Sequence, residues 1–293
     1  DVYKRQNNIV TIQPDSLRIL HNPLTGWVLY ASMGVDAADF WAQYDHMYIP
    51  ELGHNVSVTD YAHTLYIRAS WTDFNPQEDV YGWKIDSNLR AYIEGAYQRN
   101  MRLAFRVVVD SRDKRTEFTP QFVKDAGAKG FMNKGKWSPY SDDSVFQKYY
   151  TKFVKALAKD FNDPSKVEFI DGFGLGKWGE YHTMIYSTGD DTPKKAVFDW
   201  VTDLYSQVFD KVPVFVNYHR WIGTSKEWDG NNYDKDTERL IGKAVAKGYS
   251  LRHDAFGMKT YYSTWERNFI AKWKYLVPVV MAVSYTHLRA HET

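Results

Sequence analysis

The 293-residue chain contains no cysteine, so disulfide bridges and thiolate metal sites are excluded. It has no apolar run near the roughly eighteen residues that a membrane-spanning helix needs. Neither sign of charge dominates, since 37 Lys and Arg stand against 36 Asp and Glu for a net +1. No basic stripe is present either, which argues against nucleic acid as a partner. There is no Gly-x-Ser-x-Gly after a strand, no His-Glu-x-x-His and no calcium-loop spacing. A serine triad is therefore unsupported, and no metal or cofactor is expected.

Aromatic residues are abundant: 11 Trp, 22 Tyr and 16 Phe. Aromatic rings bury large areas, so part of this excess fills the core. The Trp residues beside Gly, Asp and Asn also suit the walls of an opening that receives a ligand with apolar faces, such as a sugar.

Both ends look foreign to the rest. Asp1–Gln6 and Ser284–Thr293 resemble translated sequencing-adapter read-through, an artefact of environmental assemblies. Segments of this kind are set aside before fold reasoning. The expected natural body is a single domain over 7–282, with 1–6 and 283–293 non-native. His287 and His291, four apart, are discounted as metal ligands for that reason. The compartment stays open: a signal peptide could not be observed, and a cysteine-free composition fits an exported protein without demanding one. Oligomeric state is not legible.

Strand-like and helix-like segments alternate along the body. The predicted strands are Thr25–Tyr30, His63–Ala69, Arg102–Val109, Val167–Gly174, Val212–Asn217, Leu251–Gly257 and Tyr275–Met281. Between them, apolar residues at helical spacing predict helices over Ile85–Arg99, about Val145–Leu157, Pro193–Phe209, Thr237–Lys247 and Tyr262–Lys274. Residues 111–143 form a long polar excursion. Such alternation implies a parallel sheet with right-handed crossovers. Seven strands in this length suit an α/β fold of the (β/α)8 barrel type, truncated after about strand seven.

Barrel chemistry lies at the carboxyl ends of the strands. The fourth strand runs into Asp171-Gly-Phe-Gly-Leu-Gly-Lys-Trp-Gly-Glu-Tyr-His182, a glycine cluster that delivers one carboxylate, Glu180, beside aromatic rings. Glu180 is the candidate general acid/base, since desolvation between Trp178 and Tyr181 would favour the protonated form that a proton donor needs. The plainer alternative is a structural carboxylate bonded to backbone or to an arginine. Gly174-Leu-Gly176-Lys-Trp-Gly179 formally matches GxGxxG, but it lies mid-chain and no apolar helix follows, so a dinucleotide site is not indicated.

Trp71 and Trp178 are the preferred stacking surfaces, with Tyr181, His182, Asn217 and His219 as further substrate contacts. Each of these could equally be an ordinary core or loop residue. Trp83 reads as packing at the start of the second helix. Arg68 and Arg106 lie inside apolar strands, where an unpaired charge is costly. They are expected to point into the barrel and hold carboxylates such as Glu180 or Asp254. Asp254 is a second acid or an arginine partner, and His253, on the opposite strand face, is a structural residue.

Tyr66-Ile-Arg-Ala-Ser-Trp71, then Phe74-Asn-Pro-Gln-Glu-Asp-Val-Tyr-Gly-Trp83 and Ile85-Asp86, resembles the corresponding segment of clan A glycoside hydrolases and their β-galactosidase-like relatives. Asn22-Pro-Leu-Thr-Gly-Trp27 and Gly172–His182 are similar to a bacterial family of uncharacterised, glycosidase-like barrel proteins. The likeness covers most of 20–282. It implies a barrel that hydrolyses glycosides with retention, acting on an oligo- or polysaccharide. The strand-four Glu would be the acid/base and a Glu at the end of strand seven the nucleophile. Glu180 matches the first role, although Gly179 stands where that clan has Asn. Leu276–Ala282 carries no carboxylate, so the second is expected to have been lost by truncation and this chain to be inactive. The alternative is a carbohydrate-binding barrel without chemistry. An isomerase or lyase barrel has little support.

Overall fold

The computed structural model describes residues 26–31, 33–112, 116–226 and 232–283. The terminal segments read as foreign, apart from Val283, lie outside these residues, as do Asn22–Thr25.

The order begins with β1 (Trp27–Tyr30), α1 (Ala37–Asp45), β2 (Met47–Ile49), β3 (His54–Val56), β4 (Ala62–Ser70), α2 (Trp71–Phe74), α3 (Gly82–Ile85) and α4 (Ser87–Gln98). Next come β5 (Arg102–Val108), α5 (Gln121–Asp125), β6 (Gly130–Asn133), β7 (Lys136–Pro139), α6 (Ser144–Phe161) and β8 (Val167–Asp171). The last elements are α7 (Lys194–Val208), β9 (Val214–Asn217), α8 (Thr237–Ala246), β10 (Ser250–Phe256), α9 (Thr264–Trp273) and β11 (Val279–Val283).

Seven strands form one sheet in the order β1-β4-β5-β8-β9-β10-β11, and every pairing is parallel. This is the strand order of a (β/α)8-type barrel wall. Among the described residues β1 and β11 each have a single neighbour. The pairs β2/β3 and β6/β7 are small antiparallel hairpins set into the connections.

The helices start where the sequence offers an acceptor. Asp143 caps α6 by accepting from Phe146 N at 2.8 Å, and Asp86 caps α4 from Leu89 N at 2.7 Å, each satisfying a first-turn donor. The apolar stripe of α6, including Phe146, Tyr150, Phe153, Val154 and Leu157, is buried against the sheet.

Alternation along the strands separates two cores. Leu65 and Ile67 of β4, Leu103 and Phe105 of β5, and Val214 and Val216 of β9 face the helices. Their neighbours Tyr66, Ala104, Phe169 and Phe215 form a separate inner cluster with Val280. The sheet must curl for the contacts on that inner face. Arg106 of β5 reaches Asp254 of β10 at 2.6 Å, although two strands lie between them and a flat sheet would set β5 and β10 about 14 Å apart at ~4.8 Å per strand.

Several predicted elements differ, and the fourth strand stops at Asp171 rather than Gly174. Residues 111–143 hold α5 and the β6/β7 hairpin rather than a plain loop, and 31–61, left without elements by the sequence reading, hold α1, β2 and β3. The last strand begins at Val279, not Tyr275. Leu276 and Val277 N–H groups donate to Trp273 O and finish the turn after α9, so Tyr275–Val277 are not extended.

Candidate active site

Beyond β8 the chain turns back on itself over the carboxyl ends of the strands. Glu180 N donates to Lys177 O, Tyr181 N to Leu175 O, and Lys177 N to His182 O. Gly174 makes this path available: at φ 70° it lies so close to β5 that a Cβ would sit 2.4 Å from Val107 O. Trp178, Tyr181 and Thr183 also take positive φ, at 61°, 62° and 49°. The far side of the loop is tied to the segment after β9, where Gly223 N donates to Tyr181 O and Met184 N to Thr224 O.

This turn sets Glu180 against three cationic or ionisable groups. Its Oε1 lies 3.4 Å from Arg106 Nη1 and 3.8 Å from Arg68 Nη2, and its Oε2 lies 3.4 Å from His182 Nε2. The Glu180 side chain keeps 13% of its surface exposed and Arg68 keeps 22%. Arg68 also donates to Trp178 O at 2.6 Å. His182 Nδ1 meets Thr183 Oγ1 at 2.8 Å. His219 Nδ1 accepts from Trp221 N, so Nε2 carries the proton and donates to Glu180 O at 2.9 Å. Burial, reinforced by the neighbouring His182, holds the His219 imidazole well below its ordinary pKa, and it stays neutral near pH 7.

Behind Glu180 lies a buried charge network. Arg106 donates through Nε to Asp171 at 2.8 Å and through Nη2 to Asp254 at 2.6 Å. Arg252 donates to Asp254 at 2.8 Å and lies 3.5 Å from Asp171. The Tyr66 hydroxyl donates to Asp171 at 2.6 Å, and burial pushes its pKa well above the usual phenol value. Burial alone would raise the Asp254 carboxyl, but the two guanidiniums override it and hold Asp254 far below the usual carboxylate range. Three arginines and three carboxylates thus share one cluster in the barrel mouth.

The structure therefore brings together Glu180, Arg68, Arg106, Asp254, Trp178, His182 and His219. Asn217 is buried on the inner face, in register with Arg252, and its Oδ1 has no hydrogen-bond partner among the described residues. Two expected contacts lie elsewhere. Trp71 is fully buried, its ring edges against Phe146 and Tyr150 and its Nε1 donating to Asn75. No face of it is left for a ligand. Residue 71 opens α2 directly after β4, and the helix start turns the side chain outward into the helix layer. Tyr181 is also buried, against Phe173 and Phe198, because its positive φ swings the side chain under the loop. Guanidiniums and an imidazole, rather than Trp178 and Tyr181, surround the Glu180 carboxylate.

Asp171, Tyr66 and Arg252 were not singled out from sequence. The signal was available in the period of two, since Tyr66/Arg68, Ala104/Arg106, Phe169/Asp171 and Arg252/Asp254 each place a charge two residues from another inward position. Among the described residues, no group of three or more His, Asp or Glu side chains is arranged to hold a metal ion, and no helix is long and apolar enough to cross a membrane.

No family model and no curated protein matches the chain. Among solved structures, the chain is similar in architecture to several glycoside hydrolases. Endo-glycoceramidase II from Rhodococcus sp., solved as a lactosyl-enzyme intermediate, is 12% identical with a TM-score of 0.45, over 88% of this chain and 72% of that one. Xylanase B from Clostridium stercorarium F9 is 12% identical with a TM-score of 0.40, over 89% and 88%. The intracellular xylanase TsXylA from Thermoanaerobacterium saccharolyticum is 10% identical with a TM-score of 0.42, over 87% and 84%.

Proposed function

We propose that this chain is the catalytic barrel of a glycoside hydrolase in which Glu180 exchanges a proton with the glycosidic oxygen. The observation that carries the reading is the position of the Glu180 carboxylate. It is partly exposed at the mouth of the barrel, beside the partly exposed Trp178, and its oxygens are fixed by Arg68, Arg106 and His182. A group that first gives and then takes one proton must be held in one place through both steps. The sugar would lie along Trp178, with Asn217 and His182 as polar contacts.

Retention needs a second carboxylate about 5–5.5 Å from the first. Asp171 and Asp254 are poor candidates, since each is engaged by two or more buried donors. We assign the nucleophile to a carboxylate at the carboxyl end of the seventh barrel strand, β11.

Wild type and Glu180→Gln are assayed on a panel of aryl glycosides, and sugar affinity is measured by calorimetry. Turnover should fall by a factor of about 10²–10⁴ with affinity nearly unchanged. Equal turnover in the two proteins would remove Glu180 from the reaction. Sugar binding with no turnover in wild type would favour a non-catalytic carbohydrate-binding barrel.

A further inference from the structure

We propose that the sugar unit bound against Glu180 is acidic, a hexuronate whose carboxylate is received by Arg68. This rests on the reading of the site as a glycoside site and names the class of sugar.

Two features of Arg68 carry the inference. It is the outermost of the three arginines in the cluster: 22% of its side chain is exposed, against 1% for Arg106 and 5% for Arg252. It is also the least engaged. Arg106 is held by Asp171, Asp254 and Glu180, and Arg252 by Asp254 and Asp171. The only carboxylate within ion-pair reach of Arg68 among the described residues is Glu180, at 3.8 Å. One Nη2 bond to Trp178 O fixes the guanidinium in place, and its Nε and Nη1 make no hydrogen bond among the described residues. A guanidinium held at one corner, partly exposed and with further donors unengaged among the described residues, can meet the planar, two-oxygen geometry of a carboxylate.

The charge count points the same way. With Glu180 ionised, Arg68, Arg106 and Arg252 balance Glu180, Asp171 and Asp254. When Glu180 carries the proton it must deliver, Arg68 loses its counter-charge and the cluster holds one positive charge in excess. A neutral sugar would leave that charge uncompensated in a partly desolvated site, which is costly. A uronate would supply the missing anion. Lys177 adds a further cation at the rim, its amine 4.8 Å from the centre of the Trp178 ring. His182, the remaining group facing the Glu180 carboxylate, can only add positive charge.

The experiment measures binding of the methyl glycosides of glucuronate and galacturonate and of their neutral counterparts, glucose and galactose, by calorimetry. The proteins are wild type, Arg68→Gln and Arg68→Lys. Wild type should bind at least one uronate about tenfold or more tighter than its neutral counterpart, the scale of one charge-assisted hydrogen-bonded contact. Arg68→Gln should remove the preference, and Arg68→Lys should keep part of it. Circular dichroism establishes that each variant is folded. If a variant is unfolded, the wild-type preference alone decides. Equal or tighter binding of the neutral sugars by wild type would overturn the inference while leaving the glycosidase reading intact. Uronate preference without any effect of Glu180→Gln on turnover would do the reverse. No binding of any sugar would sink both.

Discussion

Arg68 and Arg106 are register partners on the adjacent parallel strands β4 and β5, so two like charges project side by side from the same face of the sheet. Such a pair is destabilising unless an anion is brought to it. Glu180 Oε1 lies within 3.4 Å of one guanidinium and 3.8 Å of the other. The loop after β8 therefore does more than expose a carboxylate. It brings the counter-ion that allows the second and third barrel strands to carry two arginines.

The two tryptophans first considered as ligand surfaces should separate cleanly in experiment. Trp71→Ala removes a fully buried ring packed among Phe146, Tyr150 and Phe153 and is expected to cost about 3–5 kcal/mol of stability. Sugar affinity of the remaining folded protein should be unchanged. Trp178→Ala should do the opposite, weakening sugar binding about tenfold, the yield of covering one apolar ring face, with little change in the urea midpoint. Equal effects of both variants on affinity would contradict the placement of Trp71.

Arg106 is the hub of the buried network, 1% exposed and bonded to Asp171 and Asp254. Arg106→Met leaves those carboxylates short of a cation, and a buried pair broken on one side typically costs about 3–5 kcal/mol. Urea unfolding at pH 7 measures it. Adding Asp254→Asn to the same chain should recover part of the loss, because it removes one of the orphaned charges. A double variant less stable than the single one would mean that the remaining Arg252–Asp254 pair contributes more than the orphaned charge costs.

Stability should decline on mild acidification, for a reason separate from the carboxylates. Burial lowers the His253 pKa from 6.5 to about 4, and its Nδ1 accepts from Ala255 N, so the folded protein resists its protonation. The unfolded chain takes up that proton below about pH 6.5 and the folded one only near pH 4, and His219 is shifted in the same direction. Stability is therefore lost as pH falls through this window, on the order of 2 kcal/mol by pH 5 for His253 alone. Asp254 acts in the same direction at lower pH. Its lowered pKa gives stability that is fully present above the unfolded value near 4 and lost only in strong acid. Urea titrations at pH 7.5 and 5, on wild type and His253→Gln, check this, with a flatter dependence expected in the variant.

The barrel order was legible because strands buried on both faces and helices with one apolar stripe leave different periods in the sequence. Arg102–Val108 and the α6 stripe are the clearest cases. The placement of Glu180 was legible from the glycines before it. The direction of its neighbours was not. Whether Trp71 faces the mouth or the helix layer depends on a helix that begins at that very residue, and whether Tyr181 flanks Glu180 depends on one backbone angle. The period of two pointed to Asp171 and Arg252 as inward positions, Arg252 two residues from its partner Asp254, but which charges meet across strands is set only when curling brings β5 and β10 together.

The three side-chain-bearing residues with left-handed backbone in the Glu180 loop, Trp178, Tyr181 and Thr183, each hold about 1–3 kcal/mol of conformational energy. That reserve makes the loop a weak point for any selection on heat tolerance alone. Glycine at position 178 would relax the backbone and raise the melting temperature while deleting the indole beside Glu180. Variants of this protein chosen for robustness should accumulate changes here first and lose their sugar as they do so, the trade between endurance and activity that strained segments impose.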